Sequence, residues 1–151
     1  MNITIKSNSF KREIENGMEM ITGIIFLSDD DYHFPDYDWN DTVLFVLNFF
    51  LTNLLKRVSK FEVLYMEVPC EVHITVNYEK DNIHFVFLDR RKREIEHESD
   101  EILSVFIKNL SKELNGMIRN NTVLNDDEID KYNKYLTGLQ KIYKDQNEKL
   151  Y

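Results

Sequence analysis

Residues 43–55, VLFVLNFFLTNLL, constrain this chain more than any other stretch. Apolar side chains recur at Val43, Leu44, Val46, Leu47, Phe50, Leu51, Leu54 and Leu55, with Val58 beyond, at the spacing of a helix. Phe45 and Phe49 fill much of the remaining face. A helix that is apolar nearly all round has to be covered on every side, so the spacing predicts a central buried helix with the rest of the chain laid around it. Asn48, Thr52 and Asn53 interrupt the run, which is also shorter than the roughly 20 residues a membrane span needs. Asp38 is expected as its N-cap, with Asp41 in the first turn and Lys56 and Arg57 at the C-terminal end, where their charges suit the helix dipole.

Only 4 Gly and 2 Pro punctuate the sequence, so the elements should be long and the loops few. Residues 2–14 open with the alternation Ile3, Ile5 and read as a strand; Asn16-Gly17 then makes a hairpin turn, since both residues tolerate positive φ, and residues 18–27 return. After the central helix, residues 61–68 read as a strand. Residues 70–78 alternate cleanly, with Cys70, Val72, Ile74, Val76 and Tyr78 on one face. Residues 83–88 return and extend into the charged run that follows. Ser99 is expected to cap a helix whose stripe is Ile102, Val105, Phe106, Leu110, Leu114 and Met117. Asn125 and Glu128 form a capping box for the last helix, whose stripe is Ile129, Tyr132, Leu136, Leu139 and Tyr143. The order ββαβββαα predicts one α+β domain over residues 1–151, with a mostly antiparallel sheet and helices on one face.

The core must be made of bulky side chains: there are 10 Phe and 8 Tyr, and Ala is absent. A chain of 151 residues suffices for one core, since a domain of about this size buries roughly 70% of its unfolded surface. The single cysteine, Cys70, excludes an internal disulfide and is read as a buried strand thiol. The first residues contain no signal-like apolar run, and the expected location is cytoplasmic, without membrane association.

Charge is distributed unevenly. Between residues 28 and 41 stand Asp29, Asp30, Asp31, Asp36, Asp38 and Asp41 with no Lys or Arg, whereas elsewhere 21 acidic residues face 19 basic ones. The segment also carries Tyr32, His33, Phe34, Tyr37 and Trp39. Acid interleaved with aromatic suits a basic protein partner, because aromatics anchor and carboxylates steer. It equally suits solvated turn and cap residues with Phe34, Pro35 and Trp39 plugging the core. Both readings coexist if the rings point inward and the carboxylates outward. Asp29, Asp30, Asp31, Asp36 and Tyr37 are the candidate partner-binding residues.

Other chemistries are not expected. Three consecutive aspartates cannot all ligate one ion, and His73, His84 and His97 lack zinc spacing, so no metal is assigned. His73 and His84 would face each other only if the strand pairing set them opposite. The run Arg90-Arg91-Lys92-Arg93 is followed at once by Glu94, Glu96 and Glu98, and with a pI near 5.0 it reads as a charged edge strand rather than a nucleic-acid contact. No catalytic arrangement or phosphate loop stands out, so neither an enzyme nor a cofactor is expected.

The motif Phe34-Pro35-x-x-x-Trp39-x-Asp41, followed directly by the apolar helix, resembles a group of small bacterial proteins of uncharacterised function. These share the N-terminal hairpin and the Phe-Pro…Trp-x-Asp signature, and often carry Asp-Gly-Pro where this chain has Glu67-Val68-Pro69. In size and acidity the chain is similar to immunity proteins of bacterial toxin systems. What the resemblance implies is a binding protein that neutralises a cognate toxin by direct contact through an acidic surface. The alternative is a structural or assembly module, a homo-oligomer, with a homodimer the simplest case, held by the stripe on the last helix.

Overall fold

The computed structural model describes residues 1–148. Strand β1 (Asn2–Glu15) and strand β2 (Met18–Asp29) form a long antiparallel hairpin. At its turn Asn16 and Gly17 adopt φ of 53° and 78°, the left-handed geometry for which the two residue types are suited. The ladder slips between Lys6 and Lys11. There Ser9 Oγ donates to the Lys6 carbonyl and accepts the Ile24 N–H at 2.8 Å, which satisfies the displaced backbone. Gly23 leaves room for Phe10, since a Cβ at this position would stand 2.4 Å from the Phe10 ring.

The acidic segment is more structured than a loop. Strand β3 (Tyr32–Phe34) and strand β4 (Asn40–Thr42) both pair antiparallel with β2, at Leu27–Asp29 and at Thr22–Ile24 respectively. The chain thus leaves the edge of β2 after Phe34 and rejoins it at Asn40, and residues 35–39 bridge the gap. The Phe34–Pro35 peptide is cis.

Helix α1 (Val43–Leu55) has the expected extent but a different N-terminal end. Its N-cap is Thr42, with no acidic residue in the first turn. Asp38 has a left-handed backbone and bonds Lys6, and Asp41 belongs to β4. Pairing with β2 holds the chain extended through Thr42, and that delays the helix past both aspartates. Lys56 is the C-cap, its N–H donating to the Thr52 carbonyl at 3.2 Å, and Arg57 turns left-handed just beyond it, so both stand at the C-terminal end as expected. Val43, Val46, Leu47, Phe50, Leu51 and Leu54 are buried, each contributing roughly 2 kcal/mol of apolar burial. The helix is not covered all round, however: Phe45 is 43% exposed.

A second antiparallel sheet follows in sequence order: β5 (Lys60–Tyr65), β6 (Cys70–Asn77), β7 (Asn82–Asp89) and β8 (Glu94–Ile102). Cys70, Val72, Ile74 and Val76 face inward, as the alternation predicts. The charged edge strand expected at residues 90–93 lies further on: those four residues form the β7–β8 turn, and β8 begins at Glu94. Its residues are mostly exposed along the free edge of the sheet, and Ser99 lies within it rather than capping a helix. Helix α2 (Leu103–Asn120) begins later and is capped from elsewhere in the chain. Buried Asp81, in the β6–β7 turn, accepts the Ser104 N–H at 2.9 Å and the Ser104 hydroxyl at 2.6 Å, while its carbonyl accepts the Leu103 N–H at 2.9 Å. The buried stripe shifts accordingly, with Leu103 and Ile107 inside while Ile102 and Val105 are exposed.

Helix α3 (Asp126–Glu148) opens with the expected reciprocal cap: Glu128 N–H donates to Asn125 Oδ1 and Asn125 N–H to Glu128 Oε1, both at 2.9 Å. The result is an α+β fold with two four-stranded antiparallel sheets instead of one, and with two C-terminal helices. Helix α1 packs on β2 of the first sheet, on β5 of the second and against α3, while α2 packs against β1 and α3. One hydrophobic cluster joins both sheets and all three helices. The α3 stripe belongs to that cluster, with Tyr132, Leu136 and Leu139 buried inside the chain, so it is not a free face for self-association. Among the described residues no helix is long and apolar enough to cross a membrane.

Candidate functional site

Strand alternation sorts the acidic segment into two populations. Asp29 is paired with Tyr32 across the β2–β3 ladder, and both side chains point toward β8. Asp29 Oδ2 lies 2.7 Å from His97 Nε2. The Tyr32 ring stacks on the His97 ring at 4.3 Å, and its hydroxyl donates to Glu96 Oε2 at 3.2 Å. The hydrogen bond to His97, more than any other influence, holds the Asp29 carboxyl below its ordinary value. Burial raises the Tyr32 hydroxyl well above the usual tyrosine range. Asp29, a candidate partner residue by sequence, is therefore an internal tie between the two sheets.

Asp41 is committed more deeply still. It is fully buried, and its two oxygens accept the Trp39 indole N–H at 3.0 Å, the Thr42 N–H at 2.7 Å, the Met66 N–H at 3.1 Å and the Glu67 N–H at 3.2 Å. The Trp-x-Asp element thus closes on itself and then clamps the β5–β6 turn, joining the edge of one sheet to a turn of the other. Phe34 completes the seam by packing its ring against Phe87 at 4.9 Å and Tyr65 at 5.8 Å. Beneath it lies Cys70, whose thiol is pushed up to about 12, first by burial and then by the Asp41 charge. Such a thiol is protonated and inert at neutral pH.

The remaining residues do face solvent. Asp30 takes φ of 51° in the β2–β3 turn, Asp31 follows it, and both are exposed. Neither makes an ion pair or hydrogen bond among the described residues. Asp36 is exposed and accepts only the Tyr37 N–H, at 2.7 Å. Tyr37 is 61% exposed and is braced from below by edge contacts to Phe26 at 5.5 Å and His33 at 5.3 Å. Opposite charge is close by: Lys6 binds Asp38 and sits over the Tyr37 ring, and Arg91 and Lys92 share with Asp36 a cleft of about 310 Å³.

Two further features were not legible in the sequence. Met18, Phe45 and Met66, all exposed, line an open groove of about 610 Å³ with Arg12 and Glu128 at its rim. The groove lies at the Met18 end of β2, and the acidic turn at the Asp29 end. The histidines also fall into separate settings. His73 is the ladder partner of Val86 and His84 of Thr75, so the two are offset along the sheet rather than opposed. His84 pairs with Asp100 at 2.8 Å, His97 with Asp29, and His73 with two glutamates. No family model matches this sequence, and no curated protein or solved structure matches it significantly.

Proposed function

We propose that the chain is a binding protein of the immunity type, which neutralises a cognate bacterial toxin by direct contact through its acidic surface. The observation that carries this reading is the arrangement of Asp30, Asp31, Asp36 and Tyr37. Three exposed carboxylates that form no ion pair among the described residues share the segment with an exposed tyrosine whose ring is braced by edge contacts to Phe26 and His33. A braced aromatic loses little entropy on binding, and unpaired carboxylates accelerate encounter with a basic partner. A toxin that acts on nucleic acid has to be basic around its own site, which makes it a natural occupant of such a surface.

The test is capture of the product of the neighbouring gene, comparing wild type with the triple variant Asp30→Asn/Asp31→Asn/Asp36→Asn. The association rate is expected to fall about tenfold or more and to lose most of its salt dependence. Folding stability should stay within about 0.5 kcal/mol of wild type. Unchanged, salt-insensitive capture would remove the acidic loop from the mechanism. The exposed Phe45 and Met66 favour a second reading, in which the groove holds the partner. Loss of capture in Phe45→Glu, with the triple variant unimpaired, would establish that reading instead.

A further inference from the structure

The outer face of the second sheet assembles a ligand set from two adjacent strands. Glu62 on β5 is the ladder partner of His73 on β6. Glu71 precedes His73 by two residues on the same strand and therefore shares its face. His73 Nε2 lies 3.1 Å from Glu71 Oε1 and 3.6 Å from Glu62 Oε1. One donor atom from each residue falls within 4.8 Å of the other two. Donors around a zinc-sized ion, with bonds of about 2.0–2.2 Å, are themselves separated by roughly 3–4 Å. Collapse of these three side chains onto an ion therefore requires only small rotamer adjustments, and the strands that carry them are already fixed by the ladder.

A second observation separates this cluster from an ordinary solvated one. His73 Nε2 and Glu71 Oε2 are both shielded from water, yet neither makes a hydrogen bond of acceptable geometry, despite the 3.1 Å approach of Glu71 Oε1. The Glu71 side chain as a whole is only 13% exposed. The other three histidines behave differently: His84 and His97 each bond a single carboxylate, and His33 bonds the Ser28 hydroxyl. A proton placed between His73 and Glu71 would satisfy one nitrogen and one oxygen, leaving the shielded Glu71 Oε2 without a hydrogen bond. Arg90 Nε, 3.4 Å from Glu71 Oε2, offsets part of that charge from a half-exposed position. A divalent cation answers all three residues together.

We propose that Glu62, Glu71 and His73 form a site for one divalent transition-metal ion of the zinc class, with coordination positions left open to solvent. The mixed imidazole and carboxylate donors select this class over Mg²⁺ or Ca²⁺, which favour all-oxygen shells. The site is separate from the acidic loop and does not depend on the toxin-binding reading.

The test uses the full chain without an affinity tag, titrated calorimetrically with Zn²⁺ and followed by visible absorption with Co²⁺. One ion is expected to bind per chain. His73→Ala and Glu71→Gln should weaken binding at least about tenfold, whereas His84→Ala should leave it unchanged. Glu62→Gln is the conservative arm: the residue is more than half exposed, and a circular dichroism spectrum identical to wild type confirms that any loss is a loss of ligation. Absence of saturable binding by wild type would overturn the proposal. So would wild-type affinity in His73→Ala, or a loss in His84→Ala as large as that in His73→Ala.

Discussion

The segment around residues 28–41 and the outer face of strands β5 and β6 both concentrate carboxylates, but by opposite routes. In the first, the aspartates are neighbours in sequence, and folding disperses them: Asp41 goes into the seam between the sheets, Asp29 to His97, Asp38 to Lys6, and Asp30, Asp31 and Asp36 to solvent. In the second, Glu62, Glu71 and His73 are spread over twelve positions, and folding gathers them. Proximity in sequence therefore says little about proximity of function when strands alternate, because each step along the chain reverses the face. Register says much more, and register is a property of two strands at once.

The sharpest way to break this comparison is Asp41→Ala. If Asp41 were one more member of an acidic face, the substitution would be nearly silent. As the acceptor for four donors in a fully buried position, its loss should cost roughly 3–4 kcal/mol by denaturant unfolding, because buried N–H groups are left unpaired. Asp81→Ala is the next largest. It removes the cap that the β6–β7 turn supplies to α2 and should cost about 1–2 kcal/mol, with amide exchange accelerated in the first turn of that helix.

Asp29→Asn sharpens the comparison through pH. The hydrogen bond to His97, followed by the charges of His97 and the N-terminal ammonium, depresses the Asp29 carboxyl against the opposing effect of burial. A carboxyl lowered in the folded state contributes stability that is complete above its unfolded value and is lost as pH falls through the folded one. The wild-type stability profile should therefore lose this contribution below about pH 4. Asp29→Asn should lack that part of the acid limb, with a difference at neutral pH below about 1 kcal/mol because the pair is partly exposed. Identical acid limbs would mean that the tie between the sheets carries no weight.

How much of this was legible depends on whether the signal is local. The Asn16-Gly17 turn, the extent of α1, the alternation of β6 and the Asn125/Glu128 cap all rest on contacts within a few residues, and the structure reproduces each of them. The errors share a different origin. Asp38 and Ser99 have the chemistry of helix caps, but strand pairing keeps the chain extended past both, and the α2 cap arrives from Asp81, more than twenty residues away. Phe45 has the composition of a core residue and lies at the lip of a groove. The candidate site was half legible: exposure of Asp30, Asp31, Asp36 and Tyr37 follows from turn chemistry, whereas the inward turn of Asp29 required knowledge of which face of β2 meets β8.

By itself the sequence determined the α+β class, the central apolar helix, the hairpin, the buried unreactive cysteine and the asymmetric charge. Each follows from periodicity, composition or backbone preference, which act over one or two turns of chain. Only the tertiary structure decided that there are two sheets rather than one, that residues 90–93 turn and the charged edge strand β8 follows them, that Asp41 and Asp81 are internal acceptors, and that His73 stands between two glutamates instead of facing His84. Those outcomes depend on strand register and on which buried N–H groups need an acceptor, and both are settled only when distant segments meet.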